Sequence, residues 1–92
     1  MGRIKVRYLN VYYELTGKKE ESIVFADSLT LGELLDKVVQ SGGPRFKEAI
    51  LDDSNRVKPH VWLLVNRTLV KDLGRELQDG DMVVFSLPPV GG

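Results

Sequence analysis

Between Thr30 and Pro44 the chain carries its one long stretch of helical periodicity, and most of what flanks it reads as strand and turn. Leu31, Leu34, Leu35, Val38 and Val39 recur at spacings of three and four, which gathers them along one face of a helix. Thr30 followed by Glu33 is a capping-box signature: the threonine oxygen takes a free first-turn amide, and the glutamate reaches back to the cap. Gly42-Gly43-Pro44 is expected to stop the helix, and since it follows a helix and lacks the Lys-Ser/Thr of a phosphate loop, it is read as a helix stop. A lone apolar stripe must be buried against something, and the remaining sequence offers a sheet.

Ile4, Val6 and Tyr8 alternate with Lys5, Arg7 and Leu9, the period-two pattern of a strand with one buried face. Thr16-Gly17-Lys18 reads as a turn into a second strand over Glu21–Phe25, so an antiparallel hairpin is expected to open the fold. After the main helix, Arg45–Leu51 fits a short helical turn through Phe46, Ala49 and Ile50, and residues 52–55 form a polar loop. Val61–Val65 is continuously apolar, as in a central strand covered on both faces or partly open to a partner. Asn66-Arg67 turns the chain into Thr68–Val70, and Asp79-Gly80-Asp81 leads into a last strand over Met82–Leu87. Pro88-Pro89 lacks the amide donors to continue a ladder. The expectation is α+β: a mixed sheet of about five strands on one main helix, with a domain over residues 1–87 and a tail over 88–92.

Composition narrows the function. Ninety-two residues make one small domain, and 13 basic against 13 acidic residues, never clustered into a stripe, give neither nucleic acid nor an anionic membrane an electrostatic hold. Zero cysteines excludes disulfides, thiolate metal sites and thiol catalysis, and points to the cytoplasm. No signal core or membrane-length apolar run is present. The single His60 has no second histidine for a metal pair or relay, and Asp52-Asp53 and Asp79/Asp81 sit in turn sequences where aspartate bends the backbone. No catalytic residue and no metal ligand is assigned, and the five serines lack a histidine–acid constellation.

What remains is the terminus, Leu87-Pro88-Pro89-Val90-Gly91-Gly92. Prolines keep a departing chain extended, and five residues reach roughly 17 Å, enough to enter another protein's cleft. Terminal glycines without Cβ atoms pass a narrow channel and present the carboxylate unhindered. A carboxylate is a poor electrophile, so the chemistry available is activation by an ATP-using enzyme to an acyl-adenylate, with this chain as substrate or carrier. Leu9, Leu69, Val84 and Ser86 are expected on the sheet face away from the helix, with Leu9, Leu69 and Leu87 as partner contacts.

Several segments resemble the ubiquitin-like β-grasp sulfur carriers of the MoaD/ThiS family, most closely the small subunit of molybdopterin synthase. Ile4-Lys5-Val6-Arg7-Tyr8 with Glu14-Leu15-Thr16-Gly17 is similar to the family's opening strand and its turn. Val65–Val70 resembles its hairpin, Leu77–Val83 its L-x-D-G-D-x-V segment, and Pro88–Gly92 its tail. The family commonly has an aromatic residue before the prolines, where this chain has Leu87, and one more residue after the valine. One extra residue between Asp81 and Pro88 keeps the overall reach. The resemblance implies that an adenylyltransferase of the ubiquitin-activating type adenylates Gly92 with ATP. A sulfur donor then displaces AMP, and the thiocarboxylate delivers sulfur in the active site of the large synthase subunit. Two other readings stand beside it: a modifier joined to target lysines through Gly92, and a β-grasp binding module whose tail is inert.

Overall fold

The computed structural model describes residues 1–88; the expected tail positions Pro89, Val90, Gly91 and Gly92 lie outside the described residues. Strand β1 spans Gly2–Tyr8, α1 Val11–Thr16, β2 Glu20–Phe25, α2 Leu31–Gly42, α3 Pro44–Ile50, β3 Trp62–Val65, β4 Thr68–Leu69 and β5 Met82–Ser86. The strands form one mixed sheet in the order β2-β1-β5-β3-β4. β1 pairs antiparallel with β2 and parallel with β5, while β3 lies antiparallel to both β5 and β4. The parallel pair β1–β5 requires a crossover, which α2 and its flanking segments supply on one face.

Period two in the sequence becomes alternation in burial: along β1 the even positions are buried and the odd ones exposed, and β5 buries Val83 and Phe85. Ile4, Val6 and Tyr8 meet Leu31, Leu34, Leu35 and Val38 of α2 in one core with Leu63, Val65 and Val83. Burying a large aliphatic or aromatic side chain contributes about 1.5–3 kcal/mol. The capping box forms as read: Glu33 N–H donates to Thr30 Oγ1 at 3.1 Å, and Thr30 N–H donates to Glu33 Oε1 at 2.9 Å. The other first-turn donors of α2 are taken by carbonyls of the segment leading to β5: Leu31 N–H by Arg75 and Gly32 N–H by Leu73. The helix start is thereby fixed to the route by which the chain reaches its last strand.

Two expectations need correction. The opening strands are antiparallel but not a simple hairpin, because α1 stands between them. Gly17, expected in a turn, is the left-handed C-cap of α1 at φ +76°, its amide donating to the Tyr13 carbonyl at 2.8 Å. Burial decides this: Tyr12 is driven against Phe46 and Phe85, with ring centroids 6.3 Å away in each case. The helix stop forms as read, and the short helical turn expected over Arg45–Leu51 is α3: Gly43 ends α2 and also begins α3, with Pro44 in the first helical turn where its missing amide costs nothing. Second, of the two readings of Val61–Val65, cover on both faces is set aside: β3 is buried on one face only, Leu63 and Val65 inward, while Trp62 and Leu64 are half-buried on the partly open outer face. Smaller shifts follow: β4 keeps only Thr68 and Leu69, and β5 stops at Ser86.

Candidate functional site

β5 occupies the middle of the sheet, so the chain leaves it at Ser86 with β1 on one side and β3 on the other. The root of this exit is rigid. Phe85 stacks on Tyr8 at 5.4 Å and meets Phe46 edge-on at 5.5 Å, and Tyr8 meets Phe46 at 90°. Such aromatic pairs add about 0.5–1.5 kcal/mol beyond area burial. The Tyr8 hydroxyl donates to Glu21 Oε2 at 2.5 Å, and Lys18 Nζ donates to Glu21 Oε1 at 3.1 Å. Burial, and then the Glu21 carboxylate beside it, push the Tyr8 phenol far above its ordinary range.

On the face away from α2, the register sets side chains in rows. One row runs Arg7, Val84, Leu64, Leu69 across four strands, each opposite the next. A second places Ser86 opposite Trp62, and a third places Met82 beside Lys5. Leu69 is 39% exposed, and Val84, Leu64, Trp62, Met82 and Ser86 are each half-buried. The β5–β3–β4 half of this face is therefore apolar and only partly covered. The β1–β2 half is charged: Glu20 takes Lys5 at 3.8 Å and Arg7 at 3.3 Å, exposed pairs worth little to stability but able to orient a partner.

Of the residues expected to bind a partner, Leu69, Val84 and Ser86 share this face. Leu9 follows β1 directly, 37% exposed, with its amide donating to the Phe85 carbonyl at 3.1 Å, and so flanks the exit. Leu87 divides its surface, packing partly against the core, and Pro88 is half-buried. Trp62, Leu64 and Met82, absent from the residues expected at a partner surface, alternate in burial with Leu63, Val65 and Val83 and so share the same outward face.

The acidic turns do structural work. Asp52 Oδ1 accepts the Arg56 and Ser54 amides, and these bonds, that from Arg56 foremost, hold its carboxyl below the ordinary carboxylate range. Asp79 accepts the Arg3 amide at 2.9 Å, and Asp81 accepts the Gln78 amide and the Asn66 side chain, both at 2.8 Å. His60 is exposed. Among the described residues no group of three or more His, Asp or Glu could hold a metal ion, and no helix is long and apolar enough to cross a membrane.

The fold has relatives. SAMP1 of Haloferax volcanii matches with a TM-score of 0.86 at 22% identity, over 99% of this chain and 100% of that one. A Pyrococcus furiosus protein described as molybdopterin converting factor subunit 1 matches at 0.78 and 26% identity, over 97% and 100%. A chain of the Amycolatopsis orientalis BexX/CysO complex matches at 0.71 and 22%, over 97% and 99%. None of the curated protein sequences matches the chain. The family model described as ThiS family matches residues 6–92, from within β1 to the final glycine. The chain belongs to the ThiS family of ubiquitin-like sulfur carriers.

Proposed function

We propose that this protein carries sulfur on its C-terminus for molybdopterin synthesis, acting as the noncatalytic small subunit of a two-subunit synthase. The observation that carries the reading is that the family match extends through Gly92, so the Gly91-Gly92 terminus belongs to the matched sequence. The Gly92 carboxylate attacks the α-phosphorus of ATP on an adenylyltransferase, releasing pyrophosphate and leaving an acyl-adenylate. A sulfur nucleophile from a donor then adds to the acyl carbon and expels AMP, leaving the thiocarboxylate. Transfer of that sulfur to a pterin carbon and hydrolysis restore the carboxylate. Leu87, Pro88, Pro89 and Val90 lead the terminus into each partner's active site. The apolar rows around Leu69, Val84 and Ser86, with Leu9 at the exit, hold the domain against the partner while the tail is threaded.

The acceptor assignment rests on the Pro88-Pro89-Val90 sequence and the likeness to the Pyrococcus protein. Its test is a single-turnover reaction of the thiocarboxylated chain with a large synthase subunit and the cyclic pterin precursor. Dithiolene formed in proportion to the chain, and absent after deletion of Gly91-Gly92, is expected. Thiocarboxylate that persists in the presence of a competent large subunit overturns the molybdopterin assignment.

The likeness to SAMP1, a small archaeal modifier protein by name, favours a second reading in which a lysine amine captures the same adenylate. Isopeptide-linked ladders that disappear when Gly91-Gly92 is deleted distinguish it.

A further inference from the structure

We propose that a groove at the β3–β4 edge of the sheet, remote from the charged β1–β2 half, docks an extended acidic segment of a partner protein with an apolar residue anchored beside Trp62. β4 is too short to cover its neighbour. It pairs only with Leu64 and Val65, and beyond these the Val70 amide reaches the Leu63 carbonyl at 2.9 Å. Trp62 pairs toward β5 and the Val61 amide is taken by the Lys58 carbonyl at 3.0 Å, so no regular strand lies beside this end of β3, and a groove of about 550 Å³ runs along it between residues 55–59 and 69–73. With most of the backbone groups here already bonded, an occupant would be held chiefly by its side chains, an extended segment laying alternate ones into the groove.

The lining specifies the chemistry of the occupant. Val57, Pro59, Trp62 and Leu73 are apolar walls suited to one aliphatic anchor. Arg56, Lys58 and Lys71 are the charged residues of the lining, and no carboxylate lines it. The ion pairs found among the described residues join Lys5, Arg7 and Lys18 to Glu20 and Glu21, and none involves these three cations. Lys58 Nζ donates to the Glu48 carbonyl at 2.8 Å, a neutral acceptor. Asp52, outside the lining, receives the Arg56 amide and feels the charges of Arg56 and Lys58, so it offsets part of that positive charge. A cationic rim and a long apolar floor together match an extended peptide with acidic flanks. A free small anion would use only the rim. The groove is separate from the tail, and its assignment stands whether or not Gly92 carries sulfur.

The test is a titration of the ¹⁵N-labelled full chain with a synthetic eight-residue peptide, a central run of valines flanked by aspartates and glutamates. A matched peptide with lysine flanks and inorganic phosphate serve as comparisons. The acidic peptide is expected to shift the amides of residues 61–63 and 69–71 and the indole of Trp62, the single tryptophan. It should bind about tenfold or more tighter than the lysine-flanked peptide, and the pair Arg56→Glu and Lys71→Glu should remove that preference. Lys71→Ala alone should weaken binding part-way while leaving the rest of the spectrum in place. Shifts confined to residues 82–86 of β5, no shifts at residues 61–63, equal binding of both peptides, or phosphate reproducing the same shifts would overturn the proposal.

Discussion

Asn66 and Asp81 lock two turns of the sheet to each other: the Asn66 side-chain amide donates to Asp81 Oδ1 at 2.8 Å, while Asn66 Oδ1 accepts the Met82 amide at 3.0 Å. One side chain thereby ties the β3–β4 turn to the start of β5, and fixes the register that places Val84, Leu64 and Leu69 in one row. Asn66 and Arg67 both have positive φ, 50° and 73°, as a two-residue hairpin turn requires. Replacing Asn66 with Ala removes both bonds and should cost about 1–3 kcal/mol. Arg67→Gly relieves the left-handed strain, less the entropy glycine loses, and should stabilise by about 0.5–1 kcal/mol. Urea unfolding of the two variants checks the opposite signs.

Two buried tyrosines that differ only in their hydroxyl partners should respond oppositely to loss of that hydroxyl. Tyr8 donates to Glu21, whereas the Tyr12 hydroxyl is buried without a partner among the described residues. Tyr8→Phe should destabilise by about 1–2 kcal/mol and Tyr12→Phe should be neutral or mildly stabilising.

The same tyrosines set an alkaline limit. Burial raises the pKa of both, so the folded chain keeps protons that the unfolded chain releases near pH 10. The unfolded state then binds fewer protons, and stability present below that pH is lost as pH rises above it. Phenolate absorbance from Tyr8 and Tyr12 should appear together with loss of the fold in a spectrophotometric titration, and Tyr12→Phe should reduce that coupled amplitude.

Gly42 faces Phe46, and a Cβ there would lie 2.6 Å from the ring. Because Phe46 is fully buried among Tyr8, Tyr12 and Phe85, it has little room to retreat. Gly42→Ala should therefore destabilise by about 1–3 kcal/mol despite alanine's better helix propensity. Thermal unfolding, with near-ultraviolet circular dichroism as a monitor of the aromatic cluster, measures it.

What could be read from the sequence was whatever is local. The capping box at Thr30 and Glu33, the Leu31–Val39 stripe and the alternation of Ile4, Val6 and Tyr8 each declare themselves within a few residues, and all appear in the structure. The α1 helix did not, because Val11-Tyr12-Tyr13 has strand-like composition, and its helical state is tied to Tyr12 meeting Phe46 and Phe85 from distant segments. The parallel pairing of β1 with β5 is equally invisible locally, yet it puts the exit of the tail at the centre of the sheet. Leu69, Val84 and Ser86 were legible as surface candidates by parity. Trp62 and Leu64 were hidden by the continuous apolarity of residues 61–65, which leaves the outward face unmarked.

The open face can be tested apart from the tail. Leu69→Glu puts a charge into the apolar row at a position exposed enough to leave the fold intact. Binding to the adenylyltransferase should weaken by about tenfold or more, the scale of losing an interface anchor. Isothermal titration calorimetry on the variant, with a urea curve as the control for folding, reads both quantities.

The most direct measurement is the intact mass of the chain after incubation with an adenylyltransferase, ATP and a sulfur donor, followed by alkylation with iodoacetamide. With zero cysteines, the chain offers no competing thiol, and alkylation separates sulfur on the terminus from oxidation of its two methionines. The account predicts one alkylated species, dependent on ATP and donor and absent when Gly91-Gly92 is deleted. An adenylate that forms on Gly92 but yields no alkylatable species, and instead couples to lysine amines, would contradict it.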